Sequence, residues 1–152
     1  MPKMRRHDRE TSAEKAWEIL ENADYMTLSM MGAEGVPYGV TLSFARVENA
    51  LYFHCANAGY KLDSLRKNPA VCVNAVRQQR TKAEEFTVAF ESAVAFGTAC
   101  EATEQEERVR GLLAICKKYA PENPGAAEYV AKYPEVSVWR IDVTDISGKI
   151  HD

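Results

Sequence analysis

The stretch FHCANAGYKLDSLRKNP, from Phe53 to Pro69, decides the fold and raises the first question about function. It opens as a strand of alternating residues, breaks at an Ala-Gly pair, and restarts as a short helix that ends before the proline. His54 and Cys55 lie at the end of the strand, and Lys61 lies at the beginning of the helix. The stretch is therefore a strand–loop–helix unit that carries three reactive side chains.

This unit has four interpretations: a Cys-His catalytic pair, a metal site, an anion-binding loop, or a plain connection. Neighbours on a strand point to opposite faces, so His54 and Cys55 do not form a local dyad. A helix N-terminus offers unpaired N–H groups and partial positive charge, and Gly59 lets a ligand approach the backbone. Lys61 adds a full charge that can neutralise a phosphate. The pattern leaves the anion-binding loop and the plain connection open, and it favours His54 as a pocket-lining residue.

Size and composition indicate one globular domain over residues 1–152. The chain is 46% hydrophobic with a formal net charge of -3, so it can form a core and lacks the basic excess of nucleic-acid-binding proteins. Its four cysteines form no CxxC pair, and no histidine spacing completes a zinc site. Because we find no signal peptide and no membrane-spanning apolar run, we expect a cytoplasmic protein with free thiols.

The hydrophobic pattern predicts a mainly β protein with helical additions. A first helix starts near Thr11 or Ser12, where Thr11–Glu14 fits a capping box. A later helix is capped at Thr103, and a second late helix runs from about Ala126 to Tyr133. Six strands are expected, in the segments TLSMM, VPYGVTLSFARV, LYFHC, AVCVNAV, FTVAFESAVAFGTACEAT and VSVWRIDVTDISG. Short strands joined by hairpins favour a small antiparallel barrel.

Three details of these strands bear on the site. Pro37 and Gly39 leave backbone groups of the second strand accessible, so this strand is either an ordinary bulged strand or one that offers its backbone to a flat heterocycle. The polar segment RQQRTKAEE is expected to interrupt the sheet, and the strand after it bends at Gly97 or divides there. Arg46, Glu91 and Arg140 are expected to form cross-strand charge pairs on an exposed face.

Taken together, these segments resemble a known family. The order GVPYGVTLSF, YFHCANAGYKLDSLRKNPAVCV and FESAVAFGTA is similar to the FMN-binding split-barrel flavoproteins related to pyridoxamine 5′-phosphate oxidase. MRRHDRE and VWRIDVTDISGK look like its nitroimidazole-resistance (NimA-like) branch. The resemblance runs from about Met4 to Lys149. It implies a six-stranded antiparallel Greek-key split β-barrel with an N-terminal helix, a short helix after the third strand and two late helices.

The same resemblance implies a homodimer with two FMN molecules at the subunit interface. It places Gly39, Val40, Thr41 and Leu42 along the flavin ring and ribityl chain, with backbone N–H groups from Val40 to Leu42 on the ring. It places His54, Cys55 and Ala56 next to the cofactor, Lys61 on the phosphate, and Leu62 beside it. It places Glu91, Ser92 and Trp139 on the substrate side or on the partner's contribution to the site.

One position departs from the family pattern. Many phosphate sites in the superfamily carry Arg-Lys, whereas this chain has Tyr60-Lys61, so Arg66 or an N-terminal arginine would supply a second cation. The implied function is a flavin-dependent oxidoreductase, a nitroreductase for a small, nitroimidazole-like acceptor. His54 is the best candidate for a polar group at cofactor or substrate. The alternatives are a non-catalytic FMN carrier, or a split barrel that uses deazaflavin F420 or haem.

Overall fold

The computed structural model describes residues 1–132 and 135–152. Its helices are α1 (Ala13–Glu21), α2 (Tyr60–Lys67), α3 (Gln105–Tyr119) and α4 (Ala126–Lys132). Its strands are β1 (Met26–Met31), β2 (Pro37–Leu42), β3 (Ala45–Val47), β4 (Ala50–Cys55), β5 (Ala70–Lys82), β6 (Thr87–Glu101) and β7 (Ser137–His151). Short 3₁₀ turns lie at His7–Arg9 and Ala83–Glu85. The predicted end of the last helix, Tyr133, lies outside the described residues.

The strands form one antiparallel sheet in the order β2-β1-β5-β6-β7-β4-β3. β2 and β3 are consecutive in the chain but lie at opposite edges, with only Ser43 and Phe44 between them. Since three Cα–Cα steps span at most about 11 Å, the two edges must approach each other. The sheet is therefore curled into a half-barrel that is split between β2 and β3.

The prediction of six strands is wrong in number, because the expected second strand is divided at Ser43 and Phe44. Phe44 is fully buried, and its N–H donates to the Tyr119 hydroxyl over 3.1 Å. That hydroxyl in turn donates to the Asp24 carbonyl over 2.6 Å. Because the backbone at Phe44 is bound to α3 and not to a strand, β2 ends there and β3 begins beyond it.

The core has two parts, one on each face of the sheet. The inner face of the half-barrel carries the larger cluster, which includes Leu28, Val73 and Trp139 and is covered by Ile19 and Leu20 of α1. A smaller cluster joins β4 and β7 to α3 and α4. None of the helices in the described part of the chain has the length and apolar character that crossing a membrane requires.

The helix caps differ in detail from their predictions. Ser12 is the N-cap of α1, and its Oγ accepts from the Lys15 N–H over 3.2 Å. The capping box is not formed, because the third helical residue is Lys15 and not Glu14. Glu104 precedes α3 and makes no side-chain capping bond, so the predicted cap at Thr103 is wrong.

The long hairpin of β5 and β6 also corrects one prediction and confirms another. RQQRTK does not interrupt the sheet, because β5 continues through it to Lys82 with a bulge between Arg77 and Arg80. Pairing with β6 satisfies the backbone N–H and C=O groups of this segment, whatever the polarity of its side chains. β6 is one strand with an irregular register at Phe96 and Gly97, which confirms the expected break in regularity.

Candidate functional site

The loop between β4 and α2 presents the beginning of the helix as an open end. Gly59 is the N-cap, with φ 133 and ψ 169, a conformation that is accessible essentially only to glycine. Its carbonyl accepts from the N–H groups of Leu62 (3.0 Å) and Asp63 (3.2 Å). The N–H groups of Tyr60 and Lys61 precede these bonds and have no acceptor within the helix. Two backbone donors are therefore available to an external acceptor.

Lys61 adds a positive charge to this end of α2. Its Nζ lies 5.8 Å from the centroid of the Phe53 ring. Among residues 1–132 and 135–152, it has no carboxylate within ion-pair distance. A lysine without an anionic partner, beside free N–H groups, fits a phosphate group. The arrangement supports the anion-binding interpretation of the Gly59–Lys61 segment.

His54 and Cys55 lie on opposite faces of β4, as the strand geometry predicts. Cys55 packs against the larger core cluster, whereas His54 is exposed. Although the ring is accessible to solvent, protein atoms on its other side desolvate it in part and lower the pKa of His54 from its ordinary value, and the charge of Lys61 lowers it further. Burial raises the pKa of the Cys55 thiol, although the charges of Lys61 and Arg66 oppose this shift. The two side chains are a neutral imidazole and a protonated thiol, not a nucleophile–base pair.

Tyr60 contributes to the site in a way that the sequence did not reveal. Its ring packs edge-on against Tyr38 of β2, with centroids 5.0 Å apart and an interplanar angle of 86°. A Cβ added to Gly32 would lie 2.4 Å from the Tyr60 hydroxyl oxygen, so this approach requires glycine. The contact fixes the beginning of α2 against β2. The one signal for this contact would have been the close approach of a bulky side chain to Gly32, and such an approach between distant positions cannot be read from the sequence.

Two hydrogen bonds hold the rest of α2 against the β1–β2 turn. The Ala33 N–H donates to Ser64 Oγ over 2.9 Å, and Lys67 Nζ donates to the Ala33 carbonyl over 2.7 Å. Lys67 is therefore occupied by a structural contact. These contacts join β2 and the free end of α2 in the described structure, and the two elements together carry half of the predicted cofactor contacts.

β2 is an edge strand, so one side of its backbone has no strand partner in the described residues. The side chains of Val40 and Leu42 pack against the core, whereas Gly39 and Thr41 face outward and are exposed. Gly39 pairs with Ser29, and Thr41 pairs with Thr27. The accessible backbone predicted for this strand is confirmed, and its outer surface continues onto β1.

The outer face of the sheet is free of charged residues over four strands. Paired residues lie on the same face, so Thr27, Asn74 and Val94 extend the row from Thr41. We call this surface the neutral face; its residues are Thr27, Ser29, Gly39, Thr41, Cys72, Asn74, Val76, Ser92, Val94 and Phe96. All are exposed or half-buried. The register thus places three predicted cofactor contacts, Gly39, Thr41 and Ser92, on one surface.

Ser92 is nevertheless distant from β2 within one chain. Three strand spacings separate β6 from β2, which corresponds to about 15 Å between Ser92 and Thr41. Glu91 points to the opposite face, where its carboxylate lies 3.2 Å from Arg77 Nε and 3.9 Å from Lys15 Nζ. The structure therefore does not join Glu91 or Ser92 to the α2 end of the site.

Trp139 and Leu62 belong to the core. Trp139 is 2% exposed, its ring stacks on Phe53 with centroids 6.5 Å apart, and its Nε1–H donates to Ser137 Oγ over 2.9 Å. Leu62 is 1% exposed. Ala56, which follows Cys55, is exposed at the loop. A cofactor role for Trp139 and Leu62 remains a prediction that only their backbones could fulfil.

The predicted cross-strand charge pairing is confirmed for Glu91, which pairs with Arg77 of the neighbouring strand β5, and is wrong for Arg46 and Arg140. Arg46 pairs with Glu21 over 2.7 Å, and Glu91 pairs as described above. Arg140 binds Asp142 over 2.7 Å and also contacts Glu107. These partners come from helices and from the same or adjacent strands, because Arg46, Glu91 and Arg140 lie at separate positions of the curled sheet.

Two of the proposed sources of a second cation, Arg66 and Arg6, are occupied. Arg66 Nη2 lies 3.2 and 3.3 Å from the two carboxylate oxygens of Glu101. Arg6 binds Asp8, with 2.8 Å between Nε and Oδ1. A cavity of about 370 Å³ lies elsewhere, between the β3–β4 turn, Arg110 and Arg140. Within residues 1–132 and 135–152, the candidate site is thus an open surface with one free cation, Lys61.

Comparison with known proteins identifies the class to which this fold and site belong. The family model described as pyridoxamine 5′-phosphate oxidase matches residues 12–150. The chain therefore belongs to the pyridoxamine 5′-phosphate oxidase-like family of flavin-binding split barrels. This family binds flavins, either FAD or FMN, and sometimes haem, and its members are commonly dimeric. A comparison with curated proteins found no match.

Solved structures with the same fold come from several bacteria. A candidate 5-nitroimidazole antibiotic resistance protein from Bacteroides thetaiotaomicron has a TM-score of 0.77 at 24% identity, covering 91% of this chain and 84% of that chain. An FAD-binding protein from Mesorhizobium loti has a TM-score of 0.72 at 22% identity, covering 95% and 98%. The FAD and haem binding protein from Mycobacterium smegmatis has a TM-score of 0.77 at 19% identity, covering 95% and 74%. At these identities the likeness is one of fold.

Proposed function

We propose that the protein binds FMN and acts as a flavin-dependent oxidoreductase on a small nitroaromatic acceptor of the nitroimidazole type. The observation that carries this proposal is the unpaired Lys61 ammonium beside the free N–H groups of α2, in a chain whose family binds flavins. A flavin with a terminal phosphate matches both the cation and the backbone donors. The nitroimidazole acceptor is suggested by the Bacteroides protein of the same fold.

Each part of the site has a distinct task in this proposal. Lys61 and the Tyr60 and Lys61 N–H groups hold the phosphate, and Gly59 allows its approach. The outer backbone edge of Gly39–Leu42 orients the ring, because Val40 and Leu42 are anchored in the core. His54, Cys55 and Ala56 lie next to the cofactor, where the neutral His54 imidazole donates or accepts a hydrogen bond. Bound FMN supplies the electron-transfer chemistry, and the protein supplies binding and orientation.

We further propose that the site is completed by a second copy of the chain. The neutral face carries no charge that would have to be desolvated on association. Ser92 lies on this face but about 15 Å from β2, so in a two-fold dimer it would approach the flavin bound by the partner. The resemblance places Glu91 and Trp139 in the same part of the site. Because Glu91 points to the opposite face and Trp139 is buried in the core, we propose Ser92 as the residue that contacts the partner's flavin.

The absorption spectrum of the purified protein tests the cofactor assignment. We expect the two visible bands of an oxidised flavin, and chromatography of the heat-released compound should identify it as FMN. FAD in the released fraction would contradict the role of Lys61 as the ligand of a terminal phosphate. The absorption spectrum of a deazaflavin would instead identify the bound cofactor as F420.

Kinetics distinguish an enzyme from a carrier. Anaerobically reduced protein is mixed with a nitroimidazole in a stopped-flow instrument, with the same mixture lacking protein as the control. We expect reoxidation of the bound flavin in parallel with loss of the nitro chromophore. If reoxidation does not exceed the anaerobic background, the protein is an FMN carrier and not a nitroreductase.

Haem binding is the second candidate function, and His54 is the observation that favours it. The imidazole is exposed, and its lowered pKa keeps it in the neutral form that ligates metals. The Mycobacterium smegmatis protein with this fold binds FAD and haem. Titration of the protein with haem, with His54→Ala as the control, decides the question. A Soret shift that needs His54 would support haem, and equal spectra for both proteins would exclude His54 ligation.

A further inference from the structure

A flavin phosphate carries close to two negative charges at neutral pH, whereas the described site offers one free cation. α2 carries two more basic residues, Arg66 and Lys67. Lys67 is committed to the Ala33 carbonyl. Arg66 is held by Glu101, so the question is how firmly this pair is held and which partner is able to leave.

The Arg66 side of the pair is loosely held. A single atom, Nη2, lies 3.2 and 3.3 Å from the two carboxylate oxygens, so the guanidinium does not form the parallel two-nitrogen contact of a strong pair. The side chains are 48% exposed for Arg66 and 35% exposed for Glu101. An exposed pair of this geometry contributes little to stability. Arg66 can therefore exchange Glu101 for another anion.

The Glu101 side of the pair is fixed. Ser137 Oγ donates to Glu101 Oε1 over 2.9 Å, and the same oxygen of Ser137 accepts from the buried Trp139 Nε1–H over 2.9 Å. Ser137 and Trp139 are each 2% exposed. Since this hydrogen-bonded chain begins in the core, the carboxylate keeps its position when Arg66 moves.

Three charges surround the end of β4. The charges of Lys61, Arg66 and Glu101 all act on the Cys55 thiol: the two cations lower its pKa, and the carboxylate raises it. Lys61 and Arg66 lie on either side of the buried residues Leu62 and Leu65 of α2. The second cation that the phosphate requires is thus present at the site but engaged elsewhere.

We propose that Glu101 is a positioning residue that holds Arg66 as a reserve cation, and that a bound phosphate draws Arg66 away from it. Glu101 then lowers the affinity for phosphorylated flavin because it competes with the phosphate for Arg66. This inference rests on the proposed function, since it requires flavin phosphate at α2. On this proposal Arg66, about one and a half helical turns beyond Lys61, takes the place of the arginine in the Arg-Lys pair of the family.

Flavin titrations of four proteins test this proposal: wild type, Glu101→Gln, Arg66→Gln and the double variant. Each flavin-free protein is titrated with FMN and with riboflavin, which lacks only the phosphate, by quenching of flavin fluorescence. Glu101→Gln should bind FMN about two- to fivefold more tightly, the range for an exposed ion pair. Arg66→Gln should bind FMN more weakly by about the same factor. Riboflavin affinity should be unchanged in both, which a general structural effect would not produce.

The double variant shows whether Glu101 acts through Arg66. In the Arg66→Gln background, Glu101→Gln should lose most of its gain in FMN affinity. A full gain in that background, or unchanged FMN affinity in Arg66→Gln, would overturn the proposal. Arg66 is exposed, so its variant should fold even if the Glu101 variant does not. If wild type binds riboflavin and FMN equally well, the phosphate site itself is wrong, and the proposed function fails with it.

Discussion

At the scale of single residues, Lys61 is the side chain on which the phosphate assignment depends. It is the first cation of α2, and the described structure gives it no carboxylate partner. His54 depends on it as well, because the charge of Lys61 contributes to the lowered pKa of the imidazole. One substitution at this position should therefore have two separate consequences.

Lys61→Ala should weaken FMN binding by about 1.5–3 kcal/mol, the range for a charge-assisted hydrogen bond, or roughly 10- to 150-fold. Fluorescence titration with FMN measures this change. Lys117→Ala is the matched control, because Lys117 is an exposed lysine on α3 outside the proposed site. Equal FMN affinity for wild type and Lys61→Ala would remove Lys61 from the phosphate site.

His54 should titrate below the ordinary histidine value of 6.5. The folded state disfavours the imidazolium, so at pH values between the two pKa values the unfolded chain binds more protons. The contribution of His54 to stability is therefore present above pH 6.5 and is lost as the pH falls through this window. NMR titration of the ring should give the low midpoint, and Lys61→Ala should raise it. An unchanged His54 midpoint in Lys61→Ala would show that the charge of Lys61 does not act on His54.

At the scale of elements, two glycines test different properties of the site. Gly59→Ala should cost about 1–3 kcal/mol of stability, because alanine is strained in the backbone conformation of the α2 N-cap. Gly39→Ala should change stability by less than about 0.5 kcal/mol, since the nearest heavy atom to an added Cβ is 3.8 Å away.

Urea denaturation measures both stabilities, and FMN titration of the Gly39 variant completes the comparison. The new methyl group lies on the outward side of β2, so we expect weaker flavin binding by a protein of normal stability. Normal FMN affinity in Gly39→Ala would show that the ring does not lie against this strand.

The connection between β2 and β3 has its own pH dependence. Lys118 Nζ lies 3.6 Å from the centroid of the Phe44 ring and has no hydrogen-bond partner among the described residues. Burial lowers the pKa of Lys118 to about 8, although Asp24 and Glu21 oppose the shift. Between pH 8 and the ordinary value of 10.5, the unfolded chain binds more protons, so stability should rise with pH in this window.

Lys118→Met should abolish this rise, because methionine keeps the contact with Phe44 without a charge. Thermal unfolding at a series of pH values measures the effect: the variant should be more stable than wild type at pH 7, and the difference should shrink as the pH increases. Parallel pH profiles for the two proteins would show that Lys118 does not titrate in this window.

At the scale of the whole molecule, the neutral face is the surface on which the proposed dimer depends. Asn74 lies near its centre, between Thr27 of β1 and Val94 of β6. Asn74→Arg should give a folded monomer with weakened FMN binding, because the new charge would be buried without a partner in the dimer. Sedimentation velocity measures the mass, and Glu122→Arg in an exposed turn is the control. A wild-type mass of one chain would contradict the shared site.

Features that depend on neighbours in the chain were predictable. The strand–loop–helix unit, the opposite orientation of His54 and Cys55, and the irregularity at Gly97 follow from strand periodicity and glycine conformation. The cofactor contacts of β2 were implied by resemblance and not by spacing. The structure adds a reason for them, because β2 is an edge strand whose exposed Gly39 and Thr41 join the neutral face.

The positions of most strands and helices could be read from the sequence, since turns and periodicity are local properties, and the Gly59–Lys61 segment was a candidate anion-binding loop. Three features emerge only in the folded chain: Phe44 divides the second strand, Tyr60 packs on Tyr38, and Glu101 holds Arg66. Each of these depends on a partner that the chain brings near only through sheet pairing or helix packing. The same distant pairing places Ser92 on the surface of Gly39 and Thr41, yet too far from them to share one site within a single chain.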